Sequence, residues 1–149
     1  MSNKHGLLVV DLQIGFSQHP DCIESIRDLA QEYAVVVATR FSPPADSSHR
    51  QTNNYASVDG GSIIDVGHDI VIEKAGYGLS PADISVLRGF SEVTEWGLAG
   101  SRSGACIVAC AFSLWDAGIP FHVVRSLCNT QNDHMREAMS VILQQHFGV

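Results

Sequence analysis

Gly6-Leu7-Leu8-Val9-Val10-Asp11, near the start of the chain, is the stretch that best indicates the class of fold. Its apolar run is continuous and does not alternate with polar residues, which is typical of a strand buried on both faces of a parallel sheet. The run ends at Asp11. In open α/β sheets, ligands bind beyond the carboxyl ends of the strands, so we expect Asp11 to lie at the functional edge of the sheet.

The rest of the chain repeats this pattern of a buried strand followed by a helix. Further strands are predicted over 34–39, 69–73, 93–99 and 119–124. Helices are predicted over 21–33, from Ser80, from about Ser103 to Gly118, and from Asn132 or Asp133 to about Phe147. This alternation predicts a single domain spanning 1–149 with a three-layer, Rossmann-like α/β fold, in which helices flank a parallel sheet of about five strands.

Local signals predict where two of these helices begin and where the chain forms a loop. Asp21, after Pro20, is interpreted as the N-cap of the first helix. Ser80 is interpreted as another N-cap, with Pro81 at the first helical position. The polar run 42–61 is rich in Ser, Pro, Asn and Gly and predicts one long loop.

Composition excludes several classes of protein. The net charge of −7 argues against nucleic-acid binding, which needs a basic surface. No apolar run approaches the roughly 20 residues that span a bilayer, and the first residues lack the core of a signal peptide. We therefore expect a cytoplasmic protein whose four cysteines stay reduced. Their spacing offers no C-x-x-C pair, so a structural zinc site is not expected.

Three chemically capable residues follow three different predicted strands. They are Asp11, Lys74 and Cys106, the last within Ala99-Gly100-Ser101-Arg102-Ser103-Gly104-Ala105-Cys106-Ile107. We expect them to converge at one edge of the sheet. A cysteine in the first turn of a helix favours the thiolate, and nearby backbone N–H groups can hold an oxyanion. Lys74 would lower the thiol pKa further, and Asp11 would relay a proton.

Each of these residues also has an ordinary structural interpretation. A buried cysteine is usually a small hydrophobic residue, and a lysine at a strand end is usually solvated. An aspartate that closes the first strand is often a ligand-binding or metal-binding residue. Of the other cysteines, Cys110 is expected in the core and Cys22 at the start of a helix. Cys128 is expected after the fifth strand, near the same edge of the sheet, where it would pack or, alternatively, line the pocket.

The order of motifs resembles the isochorismatase-like cysteine hydrolases, which include nicotinamidases and N-carbamoylsarcosine amidases. Asp11-Leu12-Gln13-Ile14-Gly15-Phe16 matches D-x-Q-x-x-F, and Lys74-Ala75-Gly76-Tyr77 resembles K-x-x-[FY]. Gly100 to Ile107 matches the nucleophile turn G-x-x-[TS]-x-x-C-[VI]. Asp116 to Val124 is similar to a further stretch of the family, and His134 falls where the last helix often opens with His.

The resemblance implies a function for the three converging residues. Cys106 would attack the carbonyl of an amide or related C–N bond of a small molecule and form a thioester. Asp11 would shuttle the proton, and Lys74 would be its electrostatic partner. No cofactor is implied.

The resemblance also implies how the rest of the site is formed. A non-proline cis peptide would fall at Ser101-Arg102, and this turn, with Cys106, would shape the oxyanion hole. Phe16 and Tyr77 are candidate pocket walls, although packing in the core is an equal alternative for both. Arg102 is larger than the residue usual in the family, and it would bind a substrate carboxylate if it points into the pocket.

Two departures from the family limit these expectations. Where nicotinamidases place a metal-binding aspartate, this chain has Phe41 after Thr39-Arg40, and His49 lacks a clear partner, so we expect no metal site and a solvated His49. The chain stops at Gly148-Val149, about where a final strand and helix would begin. A neighbouring subunit would then cover the open edge, which predicts a homo-oligomer, a dimer or tetramer.

The sequence does not fit two other classes of protein that place a reactive residue at a strand end. A cysteine phosphatase needs Arg six residues after the nucleophile, and this chain has Phe112 there. A receiver domain needs an acidic pair and a phosphoacceptor aspartate, neither of which is evident. Two alternatives stay open: a catalytically silent relative that acts in binding or assembly, and an isochorismatase-type ether hydrolase.

Overall fold

Five parallel strands form one sheet in the computed structural model, which describes residues 4–16, 19–51, 60–130 and 132–149. The strands are β1 (His5–Val10), β2 (Val35–Phe41), β3 (Ile70–Lys74), β4 (Glu95–Ser101) and β5 (Phe121–Asn129). The helices are α1 (Pro20–Ala30), α2 (Ser48–Gln51), α3 (Pro81–Arg88), α4 (Val108–Asp116) and α5 (Asp133–Phe147). A π-helical turn, Ser103–Ile107, leads directly into α4.

The strand order is β3-β2-β1-β4-β5, and every neighbouring pair is parallel. The chain moves outward from β1 through β2 to β3, and then crosses to the other side of β1 for β4 and β5. The order of strands therefore reverses between β1 and β4, and a crevice forms at the carboxyl ends of such a pair. Asp11 follows β1 and the predicted nucleophile turn follows β4, so both lie at this switch point.

The central strand is buried on both faces, as its sequence predicted. Leu8 and Val10 contribute to one hydrophobic cluster, while Leu7 and Val9 contribute to the other. The first cluster includes residues from α3, α4 and α5, and the second includes residues from α1. Helices thus cover both faces of the sheet, and the predicted three-layer α/β fold with five parallel strands is confirmed.

The helix starts follow their capping signals, with one correction. Ser80 caps α3 through a reciprocal capping box with Asp83, as predicted. Asn132 caps α5 by accepting a hydrogen bond from the backbone N–H of Met135. The interpretation of Asp21 as an N-cap was wrong: His19 is the cap of α1, and its Nδ1 accepts from the backbone N–H of Asp21. Because Pro20 occupies the first helical position, the cap falls one residue before it.

The fifth strand is longer than the sequence predicted, and it is irregular. Leu98 of β4 lies opposite Val123, but Gly100 lies opposite Cys128, so residues 124–127 face the single position of Ala99. This bulge carries exposed polar residues, which interrupt the apolar run and ended the prediction at 124.

The predicted long loop 42–61 contains a short helix, α2, and its residues 52–59 lie outside the described part of the chain. Within the described residues, none of the helices is both long enough and apolar enough to cross a membrane.

Candidate active site

Asp11 is held rigidly just beyond the end of β1. Its backbone has a positive φ of 48°, which is uncommon in residues other than glycine, and strained backbone of this kind clusters at functional sites. Thr39 of β2 fixes both the backbone and the carboxylate of Asp11. Its Oγ1 accepts a hydrogen bond from the backbone N–H of Asp11 at 3.0 Å and donates one to Oδ1 of the carboxylate at 2.7 Å. Oδ2 is therefore the oxygen that remains to interact with other groups.

Lys74 ends β3 and reaches across the carboxyl end of β2 toward Asp11. Its Nζ lies 2.9 Å from Oδ2 of Asp11, and both side chains are almost completely buried. The ammonium also donates to the carbonyl oxygens of Gly76 at 3.0 Å and Tyr77 at 2.7 Å. The alternative of a solvated strand-end lysine is therefore wrong.

The charge of Lys74 is maintained in this buried position. Burial alone would lower the pKa of Lys74, but its interactions with Cys110, Asp11 and Cys106 outweigh burial and leave its pKa above the usual value. The side chain is thus an ammonium, 5.5 Å from the centroid of the Phe41 ring.

Cys106 lies in the π-helical turn after β4, and 4% of it is exposed. Burial raises the pKa of its thiol strongly, and the negative charge of Asp11 and a hydrogen bond to that residue raise it further. The positive charge of Lys74 acts in the opposite direction but does not outweigh them. The expectation of a resting thiolate was wrong, because the sequence reveals neither the depth of burial nor the nearness of the carboxylate. Cys106 rests as a thiol beside a carboxylate.

The turn that carries Cys106 depends on close backbone packing. The peptide bond between Ser101 and Arg102 is cis, at the position that the resemblance implied. Gly100 has a φ of +118°, and a Cβ there would lie 2.2 Å from the carbonyl oxygen of Val10, so only glycine fits. The carbonyl of Arg102 accepts hydrogen bonds from the N–H groups of Ala105 at 3.2 Å and Ile107 at 3.1 Å.

Phe16 forms one side of this region and is 6% exposed. The guanidinium carbon of Arg102 lies 4.9 Å from the centroid of its ring. Gln13, fully buried, holds the segment in place: its Oε1 accepts from the backbone N–H of Phe41 at 2.8 Å, and its Nε2 donates to the carbonyl of Gly61 at 2.9 Å. Phe16 is thus packed and also adjacent to the turn of Cys106.

Tyr77 belongs to a second aromatic group, which lies next to Lys74. Its ring stacks on Phe41 with centroids 5.6 Å apart, and His49 packs edge-on against Tyr77 at 4.5 Å and Phe41 at 5.2 Å. The prediction of a solvated His49 was wrong, since α2 turns this half-buried ring onto the aromatic pair. His49 is therefore part of the surroundings of Lys74.

The other cysteines pack within the structure. Cys110 is fully buried one turn after Cys106 and donates weakly to the carbonyl of Tyr77 at 3.6 Å. Cys128 lies within β5, not after it, and donates to the carbonyl of Val124 at 3.3 Å. Cys22 lies in the first turn of α1 and is partly buried. In the part of the chain that the structure describes, no three His, Cys, Asp or Glu side chains are placed to hold a metal ion.

Two residues that support the site were not singled out from the sequence. Thr39 was interpreted only as the end of a strand, and Gln13 only as a letter of the D-x-Q motif. His134, by contrast, was noted from the sequence but is exposed at the start of α5. The converging groups are therefore Asp11, Lys74 and Cys106, as the strand ends predicted.

The fold and the site together define a parallel α/β protein with a buried carboxylate–ammonium pair beside a cysteine at the switch point of the sheet. More particularly, the chain has the isochorismatase-like hydrolase fold. It is similar to an isochorismatase-like hydrolase from Alkaliphilus metalliredigens, with a TM-score of 0.80 and 12% identity over 95% of this chain and 91% of that one.

Two further solved structures have the same fold. The pyrazinamidase/nicotinamidase from Streptococcus mutans matches with a TM-score of 0.78 and 15% identity, over 97% of this chain and 98% of that one. PnC1 from L. infantum, in complex with nicotinate, matches with a TM-score of 0.78 and 16% identity, over 96% and 89%. No protein-family model matches the chain, and no curated protein matches its sequence. The resemblance drawn from the motifs is thus confirmed for the fold.

Proposed function

We propose that this protein is a cysteine hydrolase that cleaves an amide or related C–N bond of a small molecule through Cys106, Asp11 and Lys74. The observation that carries the proposal is the buried ion pair of Asp11 and Lys74, placed against the thiol of Cys106. Burying two charges costs several kcal/mol per ion, and an apolar pair of similar size would often be as stable or more so. A catalytic role explains why this position carries charges.

The geometry supports a first step in which the attack and the proton transfer are coupled. Because Cys106 rests as a thiol, its proton passes to Asp11 as the sulfur forms a bond to the substrate carbonyl carbon. Thr39 occupies Oδ1 of Asp11, so Oδ2 receives the proton. Lys74 faces Oδ2 and stabilises the negative charge that shifts from Asp11 to the sulfur.

Bond cleavage uses the same proton. The electron pair of the carbonyl moves to its oxygen, and backbone N–H groups of Arg102 and Cys106 stabilise this oxyanion. The oxyanion collapses, the C–N bond breaks, and Asp11 returns its proton to the leaving nitrogen. The products of this half-reaction are ammonia or an amine and a thioester on Cys106.

Hydrolysis of the thioester restores the enzyme. Asp11 removes a proton from water as the water oxygen attacks the thioester carbonyl, and the C–S bond then breaks. The released sulfur takes the proton back from Asp11, and the product is a carboxylic acid. The carboxylate of Asp11 thus acts first as base and then as acid in each half-reaction, so a single residue carries out every proton transfer.

The proteins with this fold support amides as the substrate class. Among the similar structures, three are nicotinamidases by name, and PnC1 is in complex with nicotinate, a carboxylic acid. The ring of Phe16 beside Arg102 and the aromatic group of Phe41, Tyr77 and His49 beside Lys74 are suited to flank a small planar substrate.

Ammonia release from small amides, ureido acids and nicotinamide tests the proposal. Wild type should turn over at least one class, and Cys106→Ala should reduce kcat at least about 10³-fold, since it removes the nucleophile. Cys128→Ala is the matched control, because it removes an equally buried thiol that faces β4 and not Asp11. Equal activity of Cys106→Ala and wild type would refute the role of Cys106. If the wild-type protein shows no turnover and forms no thioester that can be trapped, the catalytically silent alternative would be favoured.

A further inference from the structure

We infer that Ser113 of α4 is a positioning residue for the proposed reaction, because it joins the helix of the nucleophile to the segment 76–79, which holds Lys74. This inference rests on the proposed function and adds to its three residues one that acts through Lys74. The contacts between α4 and the segment 76–79 carry it.

One face of the helix that follows the nucleophile carries three hydrogen-bonding side chains at helical spacing. Cys106, Cys110 and Ser113 are four and then three residues apart, which places them on one face of successive turns. The π-helical turn of Cys106 leads into α4 without a break. The side chains of Cys110 and Ser113 both reach the segment 76–79, which follows β3. A single helix thus carries the nucleophile and two contacts to this segment.

The segment 76–79 holds the ammonium of Lys74. Nζ donates hydrogen bonds to the backbone carbonyls of Gly76 at 3.0 Å and Tyr77 at 2.7 Å, and it lies 2.9 Å from Oδ2 of Asp11. A displacement of the segment would therefore move Nζ relative to the carboxylate. The position of the charge that faces Asp11 depends on the position of this backbone.

Ser113 fixes the end of the segment that lies farther from Lys74. Its Oγ accepts a hydrogen bond from the backbone N–H of Leu79 at 3.0 Å. The same hydroxyl donates to the carbonyl of Ala109, one turn earlier in α4, at 2.9 Å. Because the hydroxyl proton is directed toward Ala109, a lone pair of Oγ is free to accept from Leu79. The segment is thus held to the helix by a bond of good geometry.

Gly78 allows the segment to approach α4 closely. A Cβ at this position would lie 2.7 Å from Oγ of Ser113 and 3.3 Å from the carbonyl oxygen of Ala109. Cys110 contributes a weaker contact, since its Sγ lies 3.6 Å from the carbonyl oxygen of Tyr77. A shift of the segment away from the helix would break both side-chain contacts.

The ordinary role of a serine within a helix explains only one of the two bonds of Ser113. Such serines commonly donate to the carbonyl four residues earlier, as Ser85 does to Pro81 in α3 at 3.1 Å. Ser113 makes this bond and also accepts an N–H from outside its helix. Ser85 therefore offers a matched control, because its hydroxyl makes the same bond within an exposed part of α3.

Steady-state kinetics test the inference on an amide that wild type hydrolyses. Ser113→Ala leaves the N–H of Leu79 without its partner and should reduce kcat about 5- to 10-fold, with KM changed less than about 2-fold. Ser113→Thr keeps the hydroxyl and its bond within the helix, so it should restore most of kcat. Ser85→Ala should match wild type. Equal kcat in Ser113→Ala and Ser113→Thr, or an equal loss in Ser85→Ala, would overturn the inference.

Alkylation of Cys106 separates this inference from the proposed function, because it needs no turnover. The charge of Lys74 lowers the pKa of the Cys106 thiol, so a displaced Nζ should slow the reaction with iodoacetamide. Loosened packing alone would instead expose the thiol and speed the reaction. Ser113→Ala should react at least about 3-fold more slowly than wild type, which corresponds to about half a pKa unit, and Ser85→Ala at the wild-type rate.

An unchanged or faster rate in Ser113→Ala would refute the positioning role. A slower rate would support it even if wild type hydrolysed no amide, and the absence of turnover would then count against the hydrolase alone.

Gly78→Ala tests the same contact from the side of the segment. Its new methyl group would press against Oγ of Ser113, so it should slow alkylation of Cys106 as Ser113→Ala does. In the double variant Gly78→Ala/Ser113→Ala, the missing hydroxyl leaves room for the methyl group, so the combined effect should be smaller than the sum of the single effects. Strictly additive effects would show that the segment is not held at this contact and would contradict the inference.

Discussion

Oδ2 of Asp11 lies 2.9 Å from Nζ of Lys74, and the two side chains are 1% and 0% exposed. Asp11 directly follows β1 and Lys74 ends β3, and β2 separates these strands, so no local sequence signal pairs the two residues. A buried pair of this kind is strongly coupled, because removal of either partner leaves an uncompensated charge. The pair therefore determines both the stability of this end of the sheet and the state of the nucleophile.

The first prediction concerns this coupling. Lys74→Met and Asp11→Leu should each lower the free energy of unfolding by about 3–5 kcal/mol, while the double variant should lose less than either single variant. Urea unfolding at pH 7.5 measures all four proteins. All three variants should lack hydrolase activity. If the two single effects simply add, the pair does not interact in the folded protein.

The fold could be predicted from sequence because its signals are local. The apolar runs, the Ser80 capping box and the glycine at 118 each specify the backbone within a few residues. The extension of β5 could not be predicted, because the bulge at 124–127 depends on pairing with β4. The cap of α1 was misplaced by two residues because Asp21 and His19 both carry side-chain acceptors.

The sequence predicted which residues meet at the site but not the protonation state of Cys106. Asp11, Lys74 and Cys106 follow strand ends, and parallel strands bring those ends together. The protonation of Cys106 was predicted wrongly, since the balance of burial, Asp11 and Lys74 exists only in three dimensions. The contacts of Thr39 with Asp11 and of His49 with Tyr77 were missed for the same reason, because each of these pairs is 28 residues apart along the chain.

The second prediction concerns Thr39, whose hydroxyl holds Oδ1 of Asp11. Thr39→Val keeps the shape of the side chain but leaves the carboxylate oxygen and the backbone N–H of Asp11 without this partner. We expect stability to fall by about 1–3 kcal/mol and kcat to fall at least about 10-fold with a smaller change in KM. Thr39→Ser retains the hydroxyl and should stay close to wild type in kcat. Equal kcat in both variants would show that Thr39 does not position the base.

The third prediction concerns the reactivity of Cys106 toward iodoacetamide. Because burial and Asp11 raise the pKa of this thiol, little thiolate forms at pH 7.5, and alkylation should be slower than for a free cysteine. Asp11→Asn removes a charge that raises the pKa, so alkylation should become faster. Lys74→Met removes a charge that lowers it, so alkylation should become slower. Peptide mass spectrometry, with partly buried Cys22 as the internal reference, measures each rate.

The reverse order of these two variants, or rapid alkylation of wild type near pH 7, would contradict the resting thiol. Either result would instead support the prediction from the sequence that Cys106 is a thiolate. The measurement needs no substrate, so it tests the electrostatics of the site independently of the reaction.

The fourth prediction concerns stability at alkaline pH. Burial raises the pKa of Cys128 to about 12 from the ordinary value of 9.0. Below pH 9 the thiol is protonated in both the folded and the unfolded chain and has no effect on the pH dependence. Between pH 9 and 12 only the unfolded chain releases this proton, so the stability falls as the pH rises, by up to about 1.4 kcal/mol per pH unit.

Cys128→Ala should therefore lower stability at pH 8, through lost packing, but should show a shallower decline between pH 9 and 11 than wild type. Cys110, whose pKa burial likewise raises to about 12, should give the same change of slope when replaced by alanine. Cys22→Ala is the control, because this thiol is only partly buried and its replacement should alter the slope less. Urea unfolding at half-unit pH intervals provides the slopes. Parallel curves for wild type and Cys128→Ala would mean that this thiol ionises as readily in the folded protein as in the unfolded chain, and its burial in β5 would then not protect it from base.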